Sequence, residues 1–584
     1  MPDQISFLDF RQPALPAGDY AISATTEIEL DPEVFTASRT FTVGSDRHRL
    51  APEDIRAVFP PPGSLGDHAA VLPHLVLSRA TLPWERGELP WLALLLFTPE
   101  DRPEPRTTTA GALGVPLEGH ESPDDQVTVI DVPRALLPDQ ADLPYLAHVR
   151  QGEEENAVLI CERLPAPGAT STVHLVSLEG AYDKPEGLIT LVTLHSWRFA
   201  CLDPGQTFSY LVRDLARGGQ TFRLPDTGEP RADAFLAQGF VPFPHRLRQG
   251  GDTVSWYRGP FLTGPAGESP ELPPVRTSDG LLRFHPGVGM LETGYAAAWQ
   301  LGRLLALAAP DFATALFDWK RARAKRRLRA EREPAEGYPL AVAEIDVTPP
   351  EPVVSWLTGL SRLHGVPFCY LVPDERLLPV ETIRFLRLDQ RWVHCLVDGA
   401  YSIGRLTPAD ALLDRESPVP VDSPPLSGAL IRSDVITGYP GLLIDAYADQ
   451  DGTRPLPLVR REIISGNILL CLFEGELQRL DLHQRPETLH FAVELPEAVG
   501  PPEPGELPET EGGEGTFTKA LRDRDDPLTG TLAPFRKIPI ADLAAQMAIA
   551  QGLPEIGSGA FALRMMESAE RVTFLTPLFP EAGD

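Results

Sequence analysis

Residues 291–332 read LETGYAAAWQLGRLLALAAPDFATALFDWKRARAKRRLRAER, and they divide the chain. The first part predicts a helix from about Leu291 to Leu307. Tyr295, Trp299, Gly302 and Leu305 recur at helical spacing, and Gly302 would let another element pack closely. Ala309-Pro310-Asp311 punctuates the pattern, and Pro310 suits a first helical turn, where its missing N–H costs nothing. The second part puts Phe312, Leu316 and Trp319 on one stripe and runs into a basic end. Between Lys320 and Arg332 eight side chains are basic.

What precedes this helical pair reads mainly as strand and turn. Tyr20, Ile22, Ile28 and Leu30, then Phe41 and Val43 after Asp31-Pro32, predict paired strands within 15–50. Pro60-Pro61-Pro62-Gly63 breaks regular structure. Strands are expected at Leu72 to Leu77, Trp91 to Phe97, Val127 to Val132 and Ala157 to Cys161. Val173 to Leu178 and Leu188 to Leu194 read as neighbours across a short loop. A short helix is expected over Phe208 to Ala216, and 261–281, rich in Gly, Pro, Ser and Thr, reads as a linker. Trp84 and Trp91, each beside a proline, read as anchors of a loop onto a core.

The last third alternates. Helices are expected at Val353 to Leu363, Pro379 to Leu386, Arg391 to Val397 and Ile540 to Gln551. Strands are expected at Phe368 to Val372, Leu442 to Tyr447, Asn467 to Phe473 and Leu489 to Val493. A Pro-, Glu- and Gly-rich stretch, 494–530, reads as an acidic loop. The fold class is therefore α+β, with a β-rich N-terminal half, a central helical segment and a mixed α/β C-terminal domain. The expected divisions are 1–120, 121–285, 286–335 and 336–584.

The chain has 584 residues, enough for two to four domains. Its net charge of −30 argues against a general nucleic-acid partner and fits a cytoplasmic protein, or one carried out within a particle. Only five of its 52 basic residues are lysine, an imbalance that GC-rich coding explains and that points to a bacterial source. The five cysteines are widely spaced and never form a CxxC pair, so they read as buried thiols in a reducing compartment. The first ten residues carry no secretory signal, and the longest apolar run is too short to span a bilayer.

The standard chemical motifs are missing from the sequence. There is no G-x-S-x-G elbow, no G-K-[ST] and no H-E-x-x-H, and Gly287-Val288-Gly289 with Gly294 has the wrong spacing for a dinucleotide fingerprint. Asp449-Gln450-Asp451-Gly452 has Tyr447 and Leu458 where a calcium loop needs oxygen ligands, so it reads as a hairpin turn. His394 and Cys395 are adjacent on a helix, and consecutive helical side chains diverge. No catalytic, cofactor-binding or metal-ligating residue is assigned. Asp374, Glu375 and Glu381, with Arg384 nearby, form the one carboxylate group worth testing as a hydrolase site. Trp256 and Tyr257 form the one aromatic pair worth testing as a platform for a carbohydrate or another small molecule.

The basic helix end opposes the charge of the whole. Lys320, Arg321, Arg323, Lys325, Arg326, Arg327 and Arg329 are the candidate partner-docking residues. An acidic chain with one basic stripe suits self-assembly or docking to a protein partner, because complementary patches steer association and fix register.

Several blocks are also familiar together: Leu72-Pro73-His74, Leu82-Pro83-Trp84-Glu85-Arg86, Gly294 to Arg303, Val366-Pro367-Phe368, Leu371 to Glu375, Asp398 to Arg405, and Arg432-Ser433-Asp434-Val435. Spread over most of the chain, they resemble an uncharacterised family of large bacterial proteins with no known activity, associated with loci for phage-tail-like particles. The resemblance implies a bacterial setting and no site residue. The function expected from all of this is a non-catalytic structural or interaction component of a bacterial multi-protein assembly.

Overall fold

The computed structural model describes residues 5–12, 18–28, 31–43, 47–82, 89–117, 121–183, 186–215, 219–263, 274–332, 348–416, 418, 421, 424–485, 490–495, 515–522, 524, 526–567 and 570–576. It opens with strands β1 (Ser6–Asp9), β2 (Gly18–Ile28), β3 (Asp31–Val43) and β4 (Ile55–Phe59). Next come β5 (Leu65–Gly66), β6 (Val71–Leu72), β7 (His74–Leu77), β8 (Leu92–Phe97), β9 (Arg106–Thr109) and β10 (Gln126–Pro133). The strands β11 (Ala147–Gln151), β12 (Glu155–Ile160), β13 (Thr170–Ser177) and β14 (Leu188–Cys201) follow. Helices α1 (Phe208–Asp214) and α2 (Pro230–Leu236) precede β15 (Val241–Arg246), β16 (Asp252–Tyr257), β17 (Phe261–Leu262), β18 (Arg283–His285) and β19 (Met290–Glu292). The central helices are α3 (Gly294–Leu307) and α4 (Pro310–Arg332).

Beyond them lie α5 (Glu351–Ser361), a single turn α6 (Phe368–Leu371), β20 (Thr382–Leu388), α7 (Gln390–Tyr401) and α8 (Pro408–Glu416). Then come β21 (Leu426–Arg432), α9 (Val435–Gly438), β22 (Leu443–Tyr447), β23 (Leu458–Ser465), β24 (Ile468–Glu474) and β25 (Arg479–His483). The chain closes with β26 (His490–Ala492), β27 (Thr516–Lys519), β28 (Leu528–Thr531), α10 (Ile540–Ala550), α11 (Ser558–Met565), β29 (Met566–Glu567) and β30 (Arg571–Leu575). The fold is a mixture of helix and strand, α+β as the sequence predicts. Among the described residues no helix is long and apolar enough to cross a membrane.

Four local expectations are corrected. Phe368 to Val372 is a helical turn, not a strand, and starts directly after Pro367, whose ring favours extended entry into a helix. Pro379 to Leu386 is not helical, because Thr382–Leu388 forms β20 in the middle of a sheet. The linker expected at 261–281 begins with buried strand residues Phe261 and Leu262 paired to β20. Within the loop expected at 494–530, β27 and β28 form a hairpin, and Phe517 and Lys519 are buried.

Contacts group the chain into two compact units, 1–207 with 486–569, and 208–485 with 570–584, so the divisions fall elsewhere than the four segments expected. The first unit holds a five-stranded sheet, β1-β11-β12-β7-β4, and a second sheet, β8-β13-β14-β10-β9, with β5 pairing β14. β8 shows why an unbroken apolar run forms a strand here. Leu92, Leu94 and Leu96 enter one buried cluster with Leu75, Leu159 and Leu175, while Ala93, Leu95 and Phe97 enter another with residues of α10 and α11. Both faces are covered, so strict alternation of polar and apolar residues is not required. Trp91 is buried in the first of these clusters, and Trp84 lies outside the described residues.

The second unit is built on β17-β20-β21-β24-β23. Ile383, Phe385, Ala429, Ile431 and Cys471 face one cluster, and Leu386, Leu430, Leu470 and Leu472 face the other. On the latter side α3 crosses α7 at glycine on both helices. A Cβ on Gly302 would come within 1.8 Å of the Leu396 carbonyl oxygen, and one on Gly399 within 1.9 Å of that of Trp299. The close packing expected of Gly302 is therefore realised, and it sets the base on which α4 rests.

Candidate interaction surface

α4 has 23 residues, a rod of about 34 Å. Its first turns bury Phe312, Leu316 and Trp319, the predicted stripe, and the Phe312 ring stacks on Trp356 of α5 at 3.9 Å. The same inner edge then turns from apolar to cationic. Lys320 Nζ donates to Asp414 Oδ2 at 2.8 Å and to the Tyr401 carbonyl, and lies 3.9 Å from the centre of the Tyr401 ring. Arg323 donates to the other oxygen of Asp414 at 2.7 Å and to the Tyr401 hydroxyl at 3.1 Å. Arg405 completes the cluster, reaching Asp414 at 2.9 Å and both oxygens of Asp398, whose Oδ2 also accepts the Trp299 indole N–H at 2.8 Å. Burial pushes the Lys320 amine down to about 8, and Asp414 opposes that shift.

Helical periodicity places the remaining residues. Arg327 lies on the inner edge and pairs with Glu416 of α8 at 2.6 Å. Arg321, Lys325 and Arg326 are exposed, and none makes an ion pair among the described residues. The side chain of Arg329 lies outside the described residues. At 3.6 residues per turn Phe317, Arg321, Lys325 and Leu328 share one outer stripe. Phe317 is 47% and Leu328 55% exposed, so the stripe mixes apolar and cationic groups. The sequence-predicted docking set is thus split. Lys320 and Arg323 are anchors, Arg327 holds the edge, and Arg321, Lys325 and Arg326 face solvent.

The other candidate residues do not converge. Asp374 accepts from the Arg376 side chain at 2.7 Å and from its backbone N–H, so Arg376 holds its carboxyl below the usual range. Glu381, at a left-handed φ of 49°, accepts the Ser433 hydroxyl at 2.6 Å and the Asp434 N–H. Arg384 is buried and donates to the carbonyls of Leu377 and Gly219. These groups cap and cross-link loops. Trp256 and Tyr257 are buried, Trp256 stacked on Phe235 at 4.9 Å and the Tyr257 hydroxyl donating to the Tyr370 carbonyl, which removes them as a stacking platform. Asp449 accepts from Thr453 and Arg454 within the turn expected there. His394 is exposed while Cys395 is buried, so the two diverge. Among the described residues no group of His, Cys, Asp and Glu is placed to hold a metal ion.

One cluster in the first unit is not legible in the sequence. His74 and His148 are buried on one face of the five-stranded sheet, among the rings of Phe7, Phe59 and Phe491. Arg150 lies over the Phe491 ring at 5.0 Å, and among the described residues neither its Nε nor its Nη2 has a hydrogen-bond partner. Burial pushes both histidines well below the ordinary range, His68 down to about 4 and Arg150 down to about 10. The two-residue step from His148 to Arg150 shows a shared face, but the strand pairing that brings His74 and Phe7 alongside lies far away in sequence. Comparison of the chain with protein-family models, with curated proteins and with solved structures gives no match.

Proposed function

We propose that the protein is a non-catalytic structural component of a bacterial multi-protein assembly, in which the outer stripe of α4 docks against the acidic surface of another copy. The observation that carries this reading is the split of the basic helix end. Lys320 and Arg323 spend their charge on Asp414 and fix the helix, while Arg321 and Lys325 point outward beside exposed Phe317 and Leu328. Arginine and aromatic side chains together on a fixed helix are the composition that protein interfaces enrich. A chain of net charge −30 offers acidic surface to such a stripe, and complementary charge both speeds encounter and fixes register.

The test is the mass of the intact protein by light scattering at low and high salt. The expected result is a species larger than the 63.8 kDa chain at low salt that shrinks as salt rises. Arg321→Glu with Lys325→Glu abolishes it without lowering the melting temperature, because neither residue is buried. A chain that is monomeric at low salt, or an oligomer indifferent to this reversal, overturns the reading.

A further inference from the structure

In the first unit β11 sends His148 and Arg150, two residues apart, to the same face of its five-stranded sheet, and the two side chains share two aromatic neighbours. The Phe7 ring, from the strand position opposite Arg150, stacks on His148 at 5.4 Å and lies 5.7 Å from the guanidinium carbon of Arg150. The Phe491 ring meets His148 edge to face at 5.4 Å and lies 5.0 Å from the same guanidinium carbon. A cation and an imidazole are thus held between two phenyl rings.

Polar groups this deep are ordinarily hydrogen-bonded. Among the described residues, Nδ1 and Nε2 of His148 and Nε and Nη2 of Arg150 are all buried without a partner. His148 is 0% exposed. Nε and Nη2 are the edge of a guanidinium that grips two oxygens of one planar anion at once. The groups opposite in the register are committed elsewhere. Asp9, opposite His148, accepts the Gly559 N–H at 2.9 Å, and Asn156, opposite Arg150, accepts from Arg56 at 3.3 Å. Phenyl rings offset part of the charge of a buried guanidinium, but they give its N–H groups no acceptor oxygen.

We propose that this sheet face binds a small monocarboxylate, its oxygens held by the Nε–Nη2 edge of Arg150 and by a donor nitrogen of His148, its apolar end against Phe7 and Phe491. Charge selects the class. One carboxylate neutralises one guanidinium, whereas a phosphate dianion would leave net negative charge among phenyl rings, where an unpaired charge is costly. The imidazole needs no charge for its part, since a neutral ring donates from whichever nitrogen carries the proton. Arg150 as a whole is half-buried, which gives the site an edge at the surface. Neither α4 nor self-assembly enters into this site, so its test leaves the docking reading untouched.

Propionate is titrated into the intact protein by calorimetry at neutral pH, with inorganic phosphate at the same ionic strength as the control. The expected result is saturable binding of propionate at one site per chain, and none of phosphate. Arg150→Lys keeps the charge but loses the fork, and weakens propionate binding about tenfold or more. His148→Phe keeps a ring against Phe7, removes both nitrogens and weakens binding about fivefold, the worth of one hydrogen bond. Melting curves without propionate check that each variant is folded, and should Arg150→Lys unfold, His148→Phe carries the test alone. No saturable propionate binding, equal binding of phosphate, or an affinity unchanged in a folded variant overturns the proposal.

Discussion

The polar cluster under α4 and the histidine cluster on the five-stranded sheet bury polar groups in opposite ways. Under α4 every charge has its counter-charge: Asp414 holds Lys320, Arg323 and Arg405, and Asp398 holds Arg405 again. On the sheet burial among phenylalanine rings disfavours the charged form of His74 and His148, and among the described residues His148 has no hydrogen-bond partner on either nitrogen. The first arrangement is expensive to break by removing one partner, since the others stay buried and uncompensated. The second is cheap to replace and sensitive to acid, since burial disfavours the charged form of its histidines.

The largest expected effect is therefore Asp414→Ala, which removes the carboxylate shared by Lys320, Arg323 and Arg405, leaves Arg405 its Asp398 counter-charge, and costs about 3–5 kcal/mol in denaturant unfolding. Next comes acid. Folding lowers the pKa of His68 and of His174 from 6.5 to about 4 and pushes His74 and His148 well down. Between those values the unfolded chain binds more protons, so the first unit loses stability as pH falls from 6.5 toward 4, by about 1.4 kcal/mol for each unit of depression that is realised. Amide exchange should therefore quicken in β7, β11 and β13 across that window and change less in α7 and α8. An equal response in both places would erase the contrast.

Gly302→Ala pushes a methyl group into the Leu396 carbonyl and separates α3 from α7, at a cost of about 1–3 kcal/mol by the same unfolding measurement. The smallest effect is expected of His148→Phe. It removes a buried donor that has no acceptor among the described residues, changes stability by about 1 kcal/mol or less, and narrows the acid-induced loss in exchange. A large destabilisation there would show that the histidine has a polar role the contacts do not reveal.

The sequence carried the strands wherever one face or both faces are apolar, and it carried Gly302 because a glycine among Tyr295, Trp299 and Leu305 has a packing reason. It misplaced Thr382–Leu388 because a strand buried on both faces, such as Thr-Ile-Arg-Phe-Leu-Arg-Leu, fits helical and extended spacing alike. Lys320 and Arg323 look like surface cations until Asp414, far away in sequence, turns them inward. The paired strands around Tyr20 and Phe41 were legible.

The mass of the intact protein by light scattering, at about 0.01 M and about 1 M salt, where Debye lengths are about 30 and 3 Å, tests assembly most directly. A large species is expected at low salt and a smaller one at high salt, with the fall already complete at low salt when Arg321 and Lys325 are reversed to glutamate. A single 63.8 kDa species under both conditions would contradict it.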